Sequence, residues 1–375
     1  MPALTPEFQP RSAPSKREEL KALLRKEARE AGPGKKLPTV LALCEMVGVA
    51  QATVNSALEE LEEEGIVRRR RGSGIFVSDQ IDTKCIGLVF GGNIFESGQS
   101  PFYSMLLERS RDRASSHDEL FSFYLDLPVA DRPVPAHQDL VEALERRRLH
   151  GVLLVGRSSS EQEVWLRAQG VPVVSMADGF SEPNCVTADY AEIVRMGVRA
   201  LAGQGCQRIG LISALCLSSQ GRAQAAVFRE VLAELGLPDR PERLWQQPGT
   251  EVSDSEHGTR GEHGYRALLN LLEADRHALD GVVVNDDMMT LGVLAAAKKL
   301  GLTVGSDLKI ATHANKGSSA LSEQESALTL MEVDPNEFVE AMFGTLERLM
   351  AGEVSAKPVL ISPKLRAASQ SPVTR

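Results

Sequence analysis

From Cys85 onward the chain repeats one pattern: a short, uninterrupted apolar run, then a stretch with helical spacing. The apolar runs cover 86–90, 121–125, 151–155, 171–175, 208–213, 281–284 and 309–312. Helical spacing fits between them, for example over 102–115, 139–148, 161–169, 190–204, 224–235, 264–274 and 288–300. A strand that is apolar at every position has both faces covered, and strands separated by helices pair in parallel. The pattern therefore predicts an α/β body with parallel sheets. Residues 85–368 are too many for one small domain, so two lobes are expected.

Composition agrees with a folded chain: of 375 residues, 42% are hydrophobic and 25% charged, enough to bury a core. No apolar stretch approaches the ~20 residues of a membrane helix, and no apolar segment follows the start. The five cysteines are odd in number and form no CxxC, which argues against a disulfide scaffold and for a cytoplasmic protein. The net charge of −9 is unevenly spread: residues 1–80 sum to +1 and the remainder to −10. An acidic body repels nucleic acid, so any DNA contact is expected in the first eighty residues.

Those residues follow a different pattern. Residues 1–14 hold four prolines and read as a tail. A helix over 15–31 puts Leu20, Leu23, Leu24 and Ala28 on one face with Ser15 as its N-cap, and Gly32-Pro33-Gly34 ends it. A second helix fits 40–47, capped by Thr39, with a turn at Gly48. A third fits 50–64 with Val54, Ala57, Leu58 and Leu61 inward. Two β-type runs, 66–70 and 75–78, then flank Arg71-Gly72-Ser73-Gly74, a hairpin with a glycine-rich tip. Three helices and a hairpin make a winged helix-turn-helix over 15–78. A polar linker over 79–84, the body over 85–368 and a tail over 369–375 complete the chain.

Leu37-Pro38-Thr39, Gly48-Val49, Thr53-Val54, Ala57-Leu58, Leu61, Glu64-Gly65-Ile66-Val67, Arg71-Gly72-Ser73-Gly74 and Phe76-Val77 carry a further signal. In identity and spacing this stretch resembles the winged-helix domain of GntR-family transcriptional regulators. The resemblance implies a double-stranded DNA operator as partner. Gln51, Thr53 and Asn55 would face base edges in the major groove. Lys36, Thr39 and the wing residues Arg69, Arg70, Arg71, Gly72 and Ser73 would meet the backbone. The chain departs from the family at Leu41, Gln51 and Asn55, where Arg is frequent, which alters the expected operator. The acidic run Glu59, Glu60, Glu62, Glu63 and Glu64 should point away from DNA.

In the body, Ser100-Pro101-Phe102-Tyr103, Arg147 through Leu154, Gly170 through Val174, Thr187-Ala188-Asp189-Tyr190, Gly205 through Ile209, Asn285-Asp286 with Leu291-Gly292, and Asp307 through Ala311 occur in that order. Their sequence resembles the effector-binding core of LacI-family repressors, a periplasmic-binding-protein-like fold. A GntR-type head on such a body, with Ser219-Gln220-Gly221, is similar to the arabinose repressor class. The resemblance implies a homodimer formed through the body and a small-molecule effector, a sugar or sugar derivative, between two lobes. Lobe 1 would take about 85–178 and 313–352, and lobe 2 about 179–312 and 353–368.

Ligands of open parallel sheets sit at the carboxyl ends of strands. The candidates there are Ser100 and Phe102 in the polar loop 93–103, then Arg222, Gln224, Asn285 and Asp286, and His313 and Asn315 near the hinge. Amide, carboxylate and guanidinium groups suit sugar hydroxyls. Each has a plainer role too: Phe102 as a packing ring, Asp286 as a helix cap, His313 as a structural hydrogen-bonder. The family's sugar-contacting arginine falls at Gln224 and its hinge aspartate at Ala314. A sugar acid, another ligand or a lost ligand therefore stay open.

No phosphate-cradling loop, zinc spacing or catalytic constellation occurs. No cofactor and no enzymatic activity are expected. His257 and His263 fall in a polar stretch, 249–264, that reads as a surface loop rather than a metal site. The expected function is a ligand-responsive transcriptional regulator, a repressor of carbohydrate-utilisation genes. A solute-binding receptor is the alternative the body alone would allow.

Overall fold

The computed structural model describes residues 15–91, 99–126, 138–156, 160–176, 183–213, 219–246, 259–354 and 357–366. The chain forms two compact units. One runs to Cys85 and adds Asp118–Leu120 and Gln138–His150; the other holds the rest.

In the first unit, helices α1 (Lys16–Ala31), α2 (Val40–Val47) and α3 (Gln51–Glu63) precede the hairpin β1 (Val67–Arg70) and β2 (Gly74–Val77). Ser15 and Thr39 accept the N–H groups of Glu18 and Ala42, so both helices start where the sequence places their caps. Gly48, at φ 66°, ends α2 in the left-handed conformation and turns the chain into α3. Leu20, Leu24, Leu43, Val54, Leu58 and Leu61 are all fully buried. The segment 79–84 is not a loose linker. Ile81 packs into this core at 8% exposure, because two consecutive turns (Ile81 to Ser78, Thr83 to Gln80) fold the chain back. Helix α5 (Gln138–Glu145) and the turn after it also belong to this unit.

The second unit contains two six-stranded sheets. The first runs β4-β3-β5-β6-β7-β13 and the second β9-β8-β10-β11-β12-β14. The first takes β3 (Cys85–Gly91), β4 (Leu120–Asp126), β5 (Gly151–Val155), β6 (Val173–Met176), β7 (Cys185–Ala188) and β13 (Val359–Ile361). The second takes β8 (Ile209–Ser213), β9 (Leu244–Gln246), β10 (Gly281–Val284), β11 (Lys309–Asn315), β12 (Leu328–Val333) and β14 (Lys364–Arg366). The leading strands of each follow the order 2-1-3-4-5 of a doubly wound fold, and only β14 pairs antiparallel in the second sheet.

The lobe boundaries expected from sequence need correction. β7 pairs with β6, so the first sheet continues to Ala188; β11 pairs with β10 and β12 with β11, so 313–333 belongs to the second sheet. β13 pairs with β7 and returns 359–361 to the first. The chain thus crosses between sheets after β7, after β12 and after β13. The first two crossings carry aspartates. Asp189 caps α7 (Tyr190–Gly203) and Asp334 caps α11 (Pro335–Met350), each stopping a strand and starting a helix within one residue. The expected surface loop over 249–264 is helical from Arg260. Thr259 and Glu262 form a capping box that starts α9 (Arg260–Leu271), while residues 247–258, with His257, lie outside the described residues. His263 is buried on α9. No described helix is long and apolar enough to cross a membrane alone.

Candidate nucleic-acid interface and effector cleft

Neither α2 nor α3 contains a lysine or an arginine. The buried stripe Val54, Ala57, Leu58 and Leu61 fixes which face of α3 looks outward. Gln51, Ala52 and Glu59 are exposed, and Thr53 and Asn55 half-exposed, on its open side. Ala50 at the N-cap offers no side-chain acceptor, leaving the first N–H groups of α3 open to solvent or phosphate. Thr39 is exposed, but its hydroxyl accepts the Ala42 N–H (3.3 Å).

The cations of the hairpin are unequal. Arg68 pairs with Asp79 (2.9 Å). Arg69 pairs with Glu62 (2.8 Å) and approaches Glu59 (3.6 Å), and its backbone N–H donates to Glu62 as well. Burial raises the Glu62 carboxyl, but these bonds from Arg69 outweigh it and hold the group below its ordinary range. Arg69, expected at phosphate, is thus held by α3. Arg70 lies over the Phe76 ring at 5.0 Å and Lys36 at 5.9 Å from the ring centroid. Arg71, Gly72 and Ser73 are exposed at the tip. The acidic end of α3 is partnered within its own unit. Glu60 meets Lys21 and Arg17, Glu64 takes a two-pronged grip from Arg25, and Glu63 meets Arg146 at 3.0 Å.

The second unit holds a cavity of about 560 Å³, part of it open to solvent, at the carboxyl ends of both sheets. Ser100, Phe102, Met176, Thr187 and Ala188 line it from the first sheet's side; Asp286, Asp287, His313 and Asn315 line it from the second. Tyr103, Tyr190, Arg260 and Phe338 close the wall. Phe102 lines the cavity and packs edge-on against Phe338 at 5.3 Å, the packing role foreseen for it. Asp286 likewise lines the cavity, caps α10 (Asp287–Lys299) through the Met289 N–H (2.8 Å) and pairs with Arg260. His313 stands 6.2 Å from the Tyr190 ring, centre to centre.

Asp287 connects the two sides. Its Oδ2 accepts from the Ser100 hydroxyl (3.1 Å) and from the Asn315 amide (3.1 Å). Burial, then the Asp286 carboxylate, push the Asp287 carboxyl above its ordinary range, against the pull of His313, Asn315 and Ser100. Sequence reasoning missed it, although it adjoins Asp286; a cap and its neighbour look alike in one dimension. It also missed Arg260, read as loop, and Tyr190, whose segment was noticed only for its resemblance.

Three expected residues lie elsewhere. Asn285 and Gln224 are buried beside the cavity but not in its lining. The Asn285 amide donates to Gln224 Oε1 (2.6 Å) and to Ser213 Oγ (3.1 Å), and Ser213 donates to Gln224 (3.0 Å). Gln224 Nε2 has no hydrogen-bond partner. Arg222 is exposed and away from the lining. Of the loop 93–103, residues 93–98 lie outside the described residues. Among the described residues, no group of three His, Cys, Asp or Glu side chains is placed to hold a metal.

Comparison with known proteins finds a likeness for both parts. Residues 17–77 match the family of bacterial regulatory proteins named gntR, and residues 198–367 match the periplasmic binding protein-like domain. An HTH-type transcriptional regulator from the aml 5′ region of Streptomyces limosus is 32% identical over 197 residues, 49% of this chain and 52% of that one. The chain thus aligns with about half the length of that relative. The HTH-type transcriptional repressor PurR of Yersinia pestis is 23% identical over 76% of this chain and 78% of its own. Among solved structures, the regulator CelR in complex with cellobiose superposes with a TM-score of 0.61 at 18% identity, covering 89% of this chain and 100% of that one. CcpA of Lactococcus lactis gives 0.60 at 19%, covering 77% and 100%.

Proposed function

We propose, for a chain that joins a GntR-type DNA-binding domain to a periplasmic-binding-protein-like domain, that it is a ligand-responsive transcriptional repressor acting as a homodimer on operator DNA. The observation that carries the reading is the Ser100–Asp287–Asn315 arrangement in the cleft. A carboxylate there joins groups from both sheets, so a ligand that competes for it changes how the sheets are held. A ligand shifts a conformational equilibrium by its differential affinity for the two arrangements. Dimerisation would pass that change to the spacing of two heads on two half-sites.

The lining supports a sugar-like effector. Rings of Phe102, Tyr103, Tyr190 and Phe338 offer apolar faces, and Asp287, Asn315 and Ser100 offer acceptors and donors for hydroxyls. Among the described lining residues the guanidinium is that of Arg260, already engaged by Asp286, which favours a neutral ligand over a strongly anionic one. The test is operator affinity, by fluorescence anisotropy, titrated with neutral sugars and their acids. A neutral sugar that weakens DNA binding in the wild type, but not in Asp287→Ala, is the expected result. Equal responses in both proteins would remove the cleft from the mechanism.

A further inference from the structure

The absence of cations from α2 and α3 has a consequence for what the head reads, and the inference rests on the DNA-binding reading above. Guanine presents two acceptors, N7 and O6, in the major groove, and the side chains that match both are Arg and Lys. Adenine presents an acceptor and a donor, N7 and N6–H, which match the carboxamide of Asn or Gln; thymine adds a methyl group that takes apolar contacts. The outward face of α3 carries two carboxamides one turn apart, Gln51 and Asn55, with the exposed methyl of Ala52 between them. Neither carboxamide is tied down by a hydrogen bond to another described residue. On α2, Leu41 is 71% exposed, next to the cap that starts the helix.

Among the described residues, the cations around this face are engaged: the Lys16 ammonium donates to the Gly48 carbonyl at the turn into α3 (3.5 Å). Arg68 and Arg69 are held by Asp79, Glu62 and Glu59, and Arg70 is stacked over Phe76. Glu59, one further turn along the same row, is 62% exposed at its side chain and would repel phosphates. Base contact is therefore confined to the first two turns of α3, where two amides, the Thr53 hydroxyl and apolar groups stand without a cation.

We infer that the head reads A·T pairs: Gln51 and Asn55 recognise adenines, and Ala52 and Leu41 meet thymine methyls, with no guanine contact from either helix. Backbone affinity comes from Lys35, Lys36, Arg71 and the hairpin tip, and carries no sequence information.

The test is selection of bound sites from a random duplex pool by the full-length chain, repeated with Gln51→Ala, Asn55→Ala and Gln51→Arg. The wild type should enrich half-sites with A·T pairs at the positions that respond to residues 51 and 55. Each alanine variant should lose preference at one of them by about tenfold, and Gln51→Arg should turn its position to G·C. G·C pairs in the wild type at the positions these variants change would overturn the inference. So would retention of duplex without any sequence preference at those positions. If no duplex is retained at all, the DNA-binding reading itself fails. Circular dichroism of each variant separates lost recognition from lost folding, and positions 51, exposed, and 55, half-exposed, lie outside the core, so folding should tolerate the change.

Discussion

The head and the cleft both gather carboxylates, and they satisfy them differently. Along the second half of α3 and at its C-cap, acids meet cations: Glu60 with Lys21, Glu62 with Arg69, Glu63 with Arg146 and Glu64 with Arg25. In the cleft, the hydrogen bonds to Asp287 come from a hydroxyl, an amide and the Met288 N–H. Half-exposed ion pairs stabilise a fold by about 0–1 kcal/mol each. Their larger effect in the head is to remove guanidinium groups from contact with DNA. A buried carboxylate costs stability unless hydrogen-bonded, and bonded only to neutral donors it can exchange them for those of a ligand. The same functional group thus limits binding in one unit and offers it in the other.

The strongest way to separate the units is through packing. α9 and α10 cross at Gly264 and Gly292, where an added Cβ would stand 2.0 Å from the Met289 carbonyl oxygen and 1.8 Å from the Gly261 carbonyl oxygen. α10 begins at Asp287, so a change there moves the floor of the cleft. Gly292→Ala should lower body stability by about 3 kcal/mol, since backbone cannot yield as a side chain does. Both tryptophans lie outside the head unit, at 165 and 245, so tryptophan fluorescence in urea reports the body. Non-specific duplex binding should stay within about twofold, as expected when the changed residue shares no partner with the head. A parallel loss of DNA binding would show that the units are not independent.

Asp287→Asn comes next. The folded carboxyl titrates above its usual value of 3.8, because burial and the Asp286 charge disfavour ionisation. The stability linked to its proton is therefore complete below pH ~4 and is lost as pH rises through the folded value. Urea unfolding should show the wild-type body losing stability over that interval, at most about 1.4 kcal/mol per pH unit. Asp287→Asn should flatten the slope. An unchanged slope would rule out Asp287 as its source.

The head was legible in sequence because its signals are local. Caps at Ser15 and Thr39, the turn at Gly48 and the apolar period of α3 each act within one turn of helix. The body's class was legible for the same reason, from its apolar runs. Its boundaries were not, because which sheet accepts Cys185–Ala188 or Leu328–Val333 depends on pairing with strands far away in sequence. The site shows the same division. Ser100, Phe102, Asp286, His313 and Asn315 follow strand ends or a loop and were found; Tyr190, Arg260 and Phe338 start or sit on helices that reach the cavity only through the crossings at Asp189 and Asp334 and the cap at Thr259. Asn285 and Gln224 were placed in the right neighbourhood, but their side chains bond each other.

Arg71→Ala tests the exposed end of the hairpin. It should weaken binding to all duplexes alike and flatten the dependence of log affinity on log salt by about one ion per head. A loss limited to particular sequences would make Arg71 a base reader and contradict a head that reads through amides.

Glu62→Gln is the smallest change and cuts closest to the comparison. It removes the nearer of the two charges that hold Arg69, leaving Glu59 at 3.6 Å, while keeping a group that accepts the Arg69 backbone N–H. Because the Glu62 carboxyl is held below its usual 4.5, the stability it adds is present above that pH and lost below it; at its exposure this amounts to about 1 kcal/mol or less after screening by solvent. The DNA effect runs the other way. A released Arg69 sits beside Arg70 and Arg71 and gains a phosphate partner, so non-specific affinity should rise and the salt dependence steepen by about one ion per head. The two variants therefore bracket the wild type: one removes a cation at the tip, the other frees one at the base of the wing. If Glu62→Gln left the salt dependence unchanged, Arg69 would be out of reach of the backbone in any case. The acidic half of α3 would then serve the head's own cohesion, and the contrast with the cleft would narrow to the difference between a solvated pair and a buried carboxylate.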